Sequence, residues 1–239
     1  MSNPYSLVAL LPMKAHSERI AGKNFRTFAG RPLFQWILDT LLQIDAVEKV
    51  IINTDAREIL ASHGLTDNDR VLIRDRADAI CGGDVSMNRV LEDDLRAIDA
   101  STYLMTHTTN PLLSPQTLRR GIEAFRENRE RGEADSLFSV SRFQSRFYDA
   151  HGKAVNHDPA KLLRTQDLPP LYEENSNLYL FSRASFETTD ARIGSRPMLF
   201  ETPFMESFDI DDADGWDLAE LVAKSRLQSG VTPVEQSSS

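Results

Sequence analysis

The sequence predicts an α/β protein built on a mainly parallel sheet with helices covering both faces. Three observations predict it. Short apolar runs recur through the first half of the chain, as expected of strands buried on both sides. Stretches with helical spacing of apolar residues alternate with those runs. Turn signals separate the two kinds of segment.

The elements follow in order. Residues 6–11 (SLVALL) read as the first strand. Pro32 suits a first helical position, and Leu33, Ile37, Leu41 and Ile44 then repeat at helical spacing. Residues 49–54 (KVIINT) read as a second strand, and 56–63 as a short helix closed by Gly64. Residues 70–73 form a third strand; Val90, Leu91, Leu95 and Ile98 mark an amphipathic helix; residues 103–106 give a fourth strand. Ser114 as cap and Pro115 in the first turn open a helix carrying Leu118, Ile122 and Phe125.

After residue 135 the rhythm changes. Residues 136–142 and 178–182 read as strands separated by some 35 residues rich in Asp, His, Pro and Glu, longer than connections usually run. Residues 198–201 add an edge strand, and Asp212 or Asp214 caps a last helix carrying Leu218, Leu221, Val222 and Leu227. Residues 236–239 read as a disordered tail. The division expected is one domain over 1–235 with an excursion within 140–195.

Composition narrows the function. The formal charge of −9 argues against non-specific binding to nucleic acid or an anionic membrane. The single cysteine, Cys81, excludes an intrachain disulfide and cysteine-rich metal sites. His16, His63, His107, His151 and His157 show no metal-ligand spacing. With no stretch long and apolar enough for a membrane span and no basic segment ahead of residues 6–11, a cytoplasmic address is expected.

Against this acidic background, Lys14, Arg19 and Lys23 crowd into ten residues directly after the first strand. Parallel sheets bind ligands at the carboxyl ends of their strands, so this loop, Asp55 and residues 107–111 should share one edge. A triphosphate requires cations and backbone N–H groups, and Gly22 lets the backbone approach closely before Lys23. The loop is not a P-loop: Ser17 stands where Gly is needed and Asn24 where Ser or Thr is needed.

Residues 11–32 resemble the signature of the acylneuraminate cytidylyltransferases, in which a strand ends in Pro-x-[Arg/Lys]-x-x-Ser-x-Arg-x-x-x-Lys-Asn. Related synthetases for the eight-carbon acid KDO usually carry Lys-Pro where this chain has Lys23-Asn24, which favours the acylneuraminate branch. Lys14 and Glu18 depart from the Arg and Lys that many members carry. Further segments are similar: Asn53-Thr-Asp55, then Arg74 followed by Asp84 and Ser86. Residues 106–112 (THTTNPL) place His107 where the family usually has Gln, and 164–169 and 174–179 resemble segments lining the substrate end.

The resemblance implies a three-layer Rossmann-like nucleotidyltransferase fold, a mixed sheet and a small dimerisation excursion. It implies transfer of CMP from CTP to a sialic-acid-like sugar acid, with pyrophosphate released, in a homodimer. Lys14, Arg19, Lys23, Asn24, Asp55, Arg74 and Ser86 become expected nucleotide contacts. His107, Thr108, Thr109, Gln166 and Asn175 become expected substrate contacts, with His107 equally open to a reading as a satisfied strand-end histidine.

Asp209 and Asp211 lie two apart in a segment read as extended, so alternation puts both carboxylates on one side, where a hard cation such as Mg2+ can bridge them. By itself this pair reads more readily as an acidic turn before the last helix; the family resemblance implies metal binding. Lys14, Lys23 and Asp211 are the expected catalytic residues, acting by positioning and charge neutralisation as is general for phosphoryl transfer. A glycosyltransferase using a nucleotide sugar and a non-catalytic nucleotide-binding homologue are the alternatives.

Overall fold

The computed structural model describes residues 5–17 and 19–228. The expectation for 236–239 and the departure at Glu18 lie outside the described residues.

A seven-stranded sheet runs in the order β5-β4-β1-β6-β8-β7-β9. Its parallel half holds β1 (Tyr5–Leu10), β4 (Lys49–Thr54), β5 (Val71–Asp75) and β6 (Ala100–Met105). The other half holds β7 (Ser136–Phe143), β8 (Leu171–Phe181) and β9 (Pro197–Glu201). β8 is antiparallel to both β6 and β7, and β9 runs parallel to β7 at the edge. A two-residue ladder, β2 (Thr27–Phe28) with β3 (Arg31–Pro32), lies apart from the sheet.

β1 shows why the sheet is covered on both faces. Leu7, Ala9 and Leu11 pack with Phe34, Ile37 and Leu41 of α1 (Leu33–Leu42), Leu60 of α2 (Arg57–Ser62) and Leu118 and Phe125 of α4 (Pro115–Glu130). Val8 and Leu10 point the other way, onto Leu91 and Leu95 of α3 (Met87–Ala97) and Phe186 of α5 (Arg183–Thr189). Every inward position is apolar, so period-two alternation cannot be seen in the sequence although it governs the packing.

The helix ends follow the sequence closely. The Ser114 hydroxyl accepts from the Thr117 N–H at 3.1 Å, and Pro115 occupies the first turn. Pro32 precedes α1 rather than opening it. α6 (Ala213–Gln228) is capped by Asp212, whose carboxylate accepts from the Gly215 N–H at 2.8 Å.

The buried face of α6 differs from expectation. Trp216, Ala219, Val222 and Ala223 pack against Phe28, Leu33 and Ile210, while Leu218, Leu221 and Leu227 face out. Trp216 selects that face because its ring meets the Phe28 ring edge-on at 5.3 Å.

Within 140–195 the strands and helices take up part of the span. β8 reaches back to Leu171, where it pairs with Phe143, and α5 packs on the sheet. Only residues 144–170 leave the layers. They carry an isolated Tyr148–Ala154 bridge and the exposed side chains of Tyr148, Val155, Leu162 and Leu163.

Candidate active site

The loop after β1 is tied at several points to neighbouring strand ends. The Met13 N–H donates to the Asn53 carbonyl at 3.1 Å, and the Ala15 N–H to the Asp55 carboxylate at 2.6 Å. The Asn24 amide donates to the Lys14 carbonyl at 2.8 Å while its oxygen accepts from the Thr108 hydroxyl at 2.6 Å. Gly22, at φ +59°, turns the chain into the single 3-10 turn Lys23–Phe25. Asn24, Asp55 and Thr108 thus hold the loop against the ends of β4 and β6.

That framework aims Lys23 at the last connection of the chain. Its ammonium donates to the Ile210 carbonyl at 2.7 Å and lies 4.0 Å from Asp211, which also pairs with Arg19 at 2.9 Å. Ile210 is fully buried in the α6 cluster, and its N–H donates to the Thr109 carbonyl at 3.0 Å. Residues 207–212 form no strand, yet the anchored Ile210 turns its two acidic neighbours the other way. Burial pulls the Lys23 ammonium below its ordinary pKa, against the attraction of Asp209 and Asp211.

Asp209 differs from Asp211 in its surroundings. Burial pushes its carboxyl above the usual range, although the Thr109 hydroxyl donates to it. Its Oδ1 is buried with no hydrogen-bond partner among the described residues. An orphaned carboxylate oxygen beside a second carboxylate suits a hard divalent cation. Among the described residues no cluster of three or more His, Cys, Asp or Glu forms a closed metal cage. A cation there would complete its shell from phosphate and water, as magnesium commonly does.

Two cavities adjoin at this point. One, of about 290 Å³, is lined by Lys14, Ser17, Lys23, Arg76, Gly82 and His107 among others, with Ile80, Val85, Met87 and Val90 as an apolar patch. The second, of about 470 Å³, is lined by Ser141, Glu174, Asn175, Ser176, Asp209 and Asp211 among others. Lys23 and Thr109 belong to the first and contact Asp211 and Asp209 of the second, so the junction is cationic on one side and acidic on the other.

The remaining expected residues fall into place unevenly. His107 lines the first cavity, half-buried; burial, then the nearby cations Arg192 and Lys23, push its pKa down to about 3, so its ring is neutral near pH 7. Asn175 lines the second cavity but spends its amide on the hydroxyls of Thr202 at 2.7 Å and Ser141 at 3.1 Å. Ser86 caps α3, accepting from the Asn88 N–H at 3.3 Å. Gln166 is exposed on the excursion and lines neither cavity; its carbonyl accepts from the Gln144 amide at 2.8 Å.

Arg74 also lines neither cavity. Its guanidinium pairs with Asp93 at 3.0 Å and with the buried Asp94. The guanidinium on the cavity wall is that of Arg76, two residues on. Arg192, likewise absent from the sequence reading, lies 3.8 Å above the Tyr179 ring and donates to Glu174 at 3.2 Å. It follows α5 rather than a strand end, so no strand-end signal marks it.

A family model described as Cytidylyltransferase matches residues 8–224. The CMP-N,N'-diacetyllegionaminic acid synthase of Legionella pneumophila is 24% identical over 225 residues, covering 90% of this chain and 94% of that protein. The pseudaminic acid cytidylyltransferase of Campylobacter jejuni is 22% identical over 233 residues, covering 93% and 98%. Among solved structures, a CMP:2-keto-3-deoxy-manno-octonic acid synthetase complexed with CTP superposes with a TM-score of 0.64 at 13% identity, covering 92% of this chain and 99% of that one. The 4-diphosphocytidyl-2C-methyl-D-erythritol synthase of Anaerococcus prevotii gives the same score and identity, covering 93% and 98%. At that identity the superpositions speak for the fold: a Rossmann-like three-layer α/β sheet.

Proposed function

The chain belongs to the cytidylyltransferase family, and on that premise we propose that it transfers CMP from CTP to a sialic-acid-like nonulosonic acid, releasing pyrophosphate. The observation that carries the reading is the junction itself, where the cations of the first cavity meet Asp209 and Asp211 of the second. Two relatives aligned over nearly their whole length act on legionaminic and pseudaminic acid, which supports this acceptor class. Neither the family match nor the relatives support a glycosyltransferase.

CTP occupies the first cavity in this reading. Its triphosphate lies along Lys14, Lys23 and Arg19, and its base and ribose rest on the apolar patch of Val85, Met87 and Val90. The sugar acid occupies the second cavity. A hydroxyl of the acid attacks the α-phosphorus, a new P–O bond forms, and the bond to the bridging β-oxygen breaks as pyrophosphate departs. The chain's contribution is positioning and charge neutralisation, since little covalent work falls to the protein in phosphoryl transfer. Lys23, fixed by the Ile210 carbonyl, holds its charge at the junction and needs no reorganisation as charge develops. Asp209 and Asp211 are the residues that would hold magnesium, which supplies charge neutralisation at the reacting phosphate when bound.

The exposed Tyr148, Val155, Leu162 and Leu163 support the further proposal that residues 144–170 form part of a homodimer interface.

The test is an incubation with CTP, Mg2+ and a panel of nonulosonic acids, scored for pyrophosphate and CMP-sugar. Release with at least one acid is expected. The double variant D209N/D211N should abolish release while still binding CTP without metal. Full activity of that variant would remove the metal role, and no release with any acid would remove the acceptor class.

A further inference from the structure

The second cavity is shaped by an irregularity in β8. Phe138 pairs with Tyr179 and Val140 with Glu174, so Ser139 alone faces residues 175–178. Within that bulge Ser176 adopts φ +57°, a left-handed conformation that strains any residue carrying a Cβ and that glycine enters freely. A strained non-glycine residue beside a binding cavity points to a role for its side chain.

Buried amides hold the bulge from beneath. The Asn110 amide donates to the Ser176 carbonyl at 3.0 Å, and the Asn177 amide donates to the Asn110 side-chain oxygen at 2.7 Å. The Thr106 hydroxyl donates to the Asn177 carbonyl at 2.7 Å. Asn110, Asn177 and Thr106 are fully buried, so their bonds fix the backbone of Ser176 and leave its side chain to the cavity. The Ser176 hydroxyl lies 3.1 Å from the Tyr179 hydroxyl, whose own proton goes to Glu174. No carbonyl or carboxylate among the described residues accepts from Ser176, and its proton is free to rotate.

Donors are scarce around that hydroxyl. Glu173, Glu174, Asp209 and Asp211 of the same cavity only accept when ionised. The Asn175 amide is committed to Thr202 and Ser141, and the Ser207 hydroxyl to the Phe204 carbonyl at 2.9 Å. The hydroxyls of Ser141 and Ser176 are left as donors, and of the two only Ser176 stands at a strained position. Phe143, Phe204 and Phe208 add an apolar wall. An acylamino group suits this lining, because its carbonyl can only accept and its acyl tail is apolar. We propose that Ser176 is a specificity-determining residue of the acceptor cavity, its hydroxyl donating to an acylamino carbonyl of the sugar acid. The inference rests on the reading of that cavity as the sugar-acid site.

The experiment is steady-state turnover of wild type, S176A and S176G with CTP, Mg2+ and the diacylated acid that wild type uses best, with thermal melts of each. Both variants are expected to raise the KM of the acid by roughly three- to tenfold, as for loss of one neutral hydrogen bond. The KM of CTP should stay within about twofold. S176G is expected to melt no lower than wild type, since glycine takes φ +57° without strain. Stability that holds while acid affinity falls separates a ligand contact from a structural role. The free diamine of the same acid lacks the carbonyl and is measured as a competitive inhibitor. Its Ki should agree among the three chains within about twofold. The proposal is overturned if either variant keeps the wild-type KM for the acid, or if the KM of CTP rises in step with it. It is equally overturned if the Ki of the diamine weakens as far as the KM of the acid. Wild type that releases pyrophosphate with none of the acids removes the acceptor class and this contact with it. An active wild type matched by S176G removes the contact alone.

Discussion

Replacing Asp94 with Asn should change how stability responds to pH, and the structure gives the size. Asp94 is fully buried on α3, and both of its partners, Asn53 and Arg74, reach the same oxygen, Oδ1. Oδ2 is buried without a partner. Burial therefore outweighs the hydrogen bonds and the Arg74 charge, and the pKa is pushed up from 3.8 to about 6. As the pH falls through 6 the folded carboxylate takes up a proton that the unfolded chain, titrating near 3.8, does not yet bind. Asp94 thus contributes stability that is fully present below pH 3.8 and lost as the pH rises through 6. A shift of about two units is worth about 3 kcal/mol in full, and integration between pH 7 and pH 5 gives about 1.3 kcal/mol.

The assay is urea unfolding of wild type and D94N at both pH values, which cancels every other titrating group to first order. The stability of wild type relative to D94N should rise by about 1.3 kcal/mol on acidification. A difference that stays flat, or that falls, would refute the claim that burial dominates the Arg74 pair.

Two further outcomes follow from the same geometry. Gly121 sits where α4 crosses β8, and a Cβ there would meet Leu178 Cδ2 at 2.5 Å and Phe200 at 3.4 Å. G121A should cost about 1–3 kcal/mol from overpacking, offset by up to about 1 kcal/mol of helix propensity; a gain in thermal unfolding free energy would contradict this. His107 is neutral well below pH 6, so kcat/KM against pH between 5.5 and 8.5 should keep its shape in H107Q; loss of a limb near 6.5 in the variant would show that the imidazole titrates.

The parallel half of the sheet was legible because its strands are apolar on both faces and its caps are chemically explicit, as at Ser114 and Pro115. The face of α6 was not. Leucines at 218, 221 and 227 outweigh Ala219 and Ala223 in any count of apolar residues, yet close approach to Phe28 and Ile210 favours small side chains around Trp216. The order β8-β7-β9 depends on pairings distant in sequence, which local pattern does not encode. In the site, the basic loop and the late acidic pair were both visible, because unusual charge density stands out in an acidic chain. Arg74 and Arg76 could not be ranked, since only the carboxylates of α3 decide which guanidinium is already spent.

The bond from Lys23 to the Ile210 carbonyl spans 187 positions of sequence. Translation therefore delivers the basic loop and the whole parallel half of the sheet well before the segment that carries Asp209 and Asp211. A nascent chain paused before that segment holds the cationic half of the site without its acidic half. On the proposed assignment, competence requires the contact of Ile210 with Lys23 and the packing of α6 on Phe28, both supplied by the last segment of the chain. The same contact is exposed to reversal: partial detachment of residues 207–228 would silence the enzyme with the rest of the sheet still folded, a sub-global opening that native-state hydrogen exchange at the Ile210 amide would register.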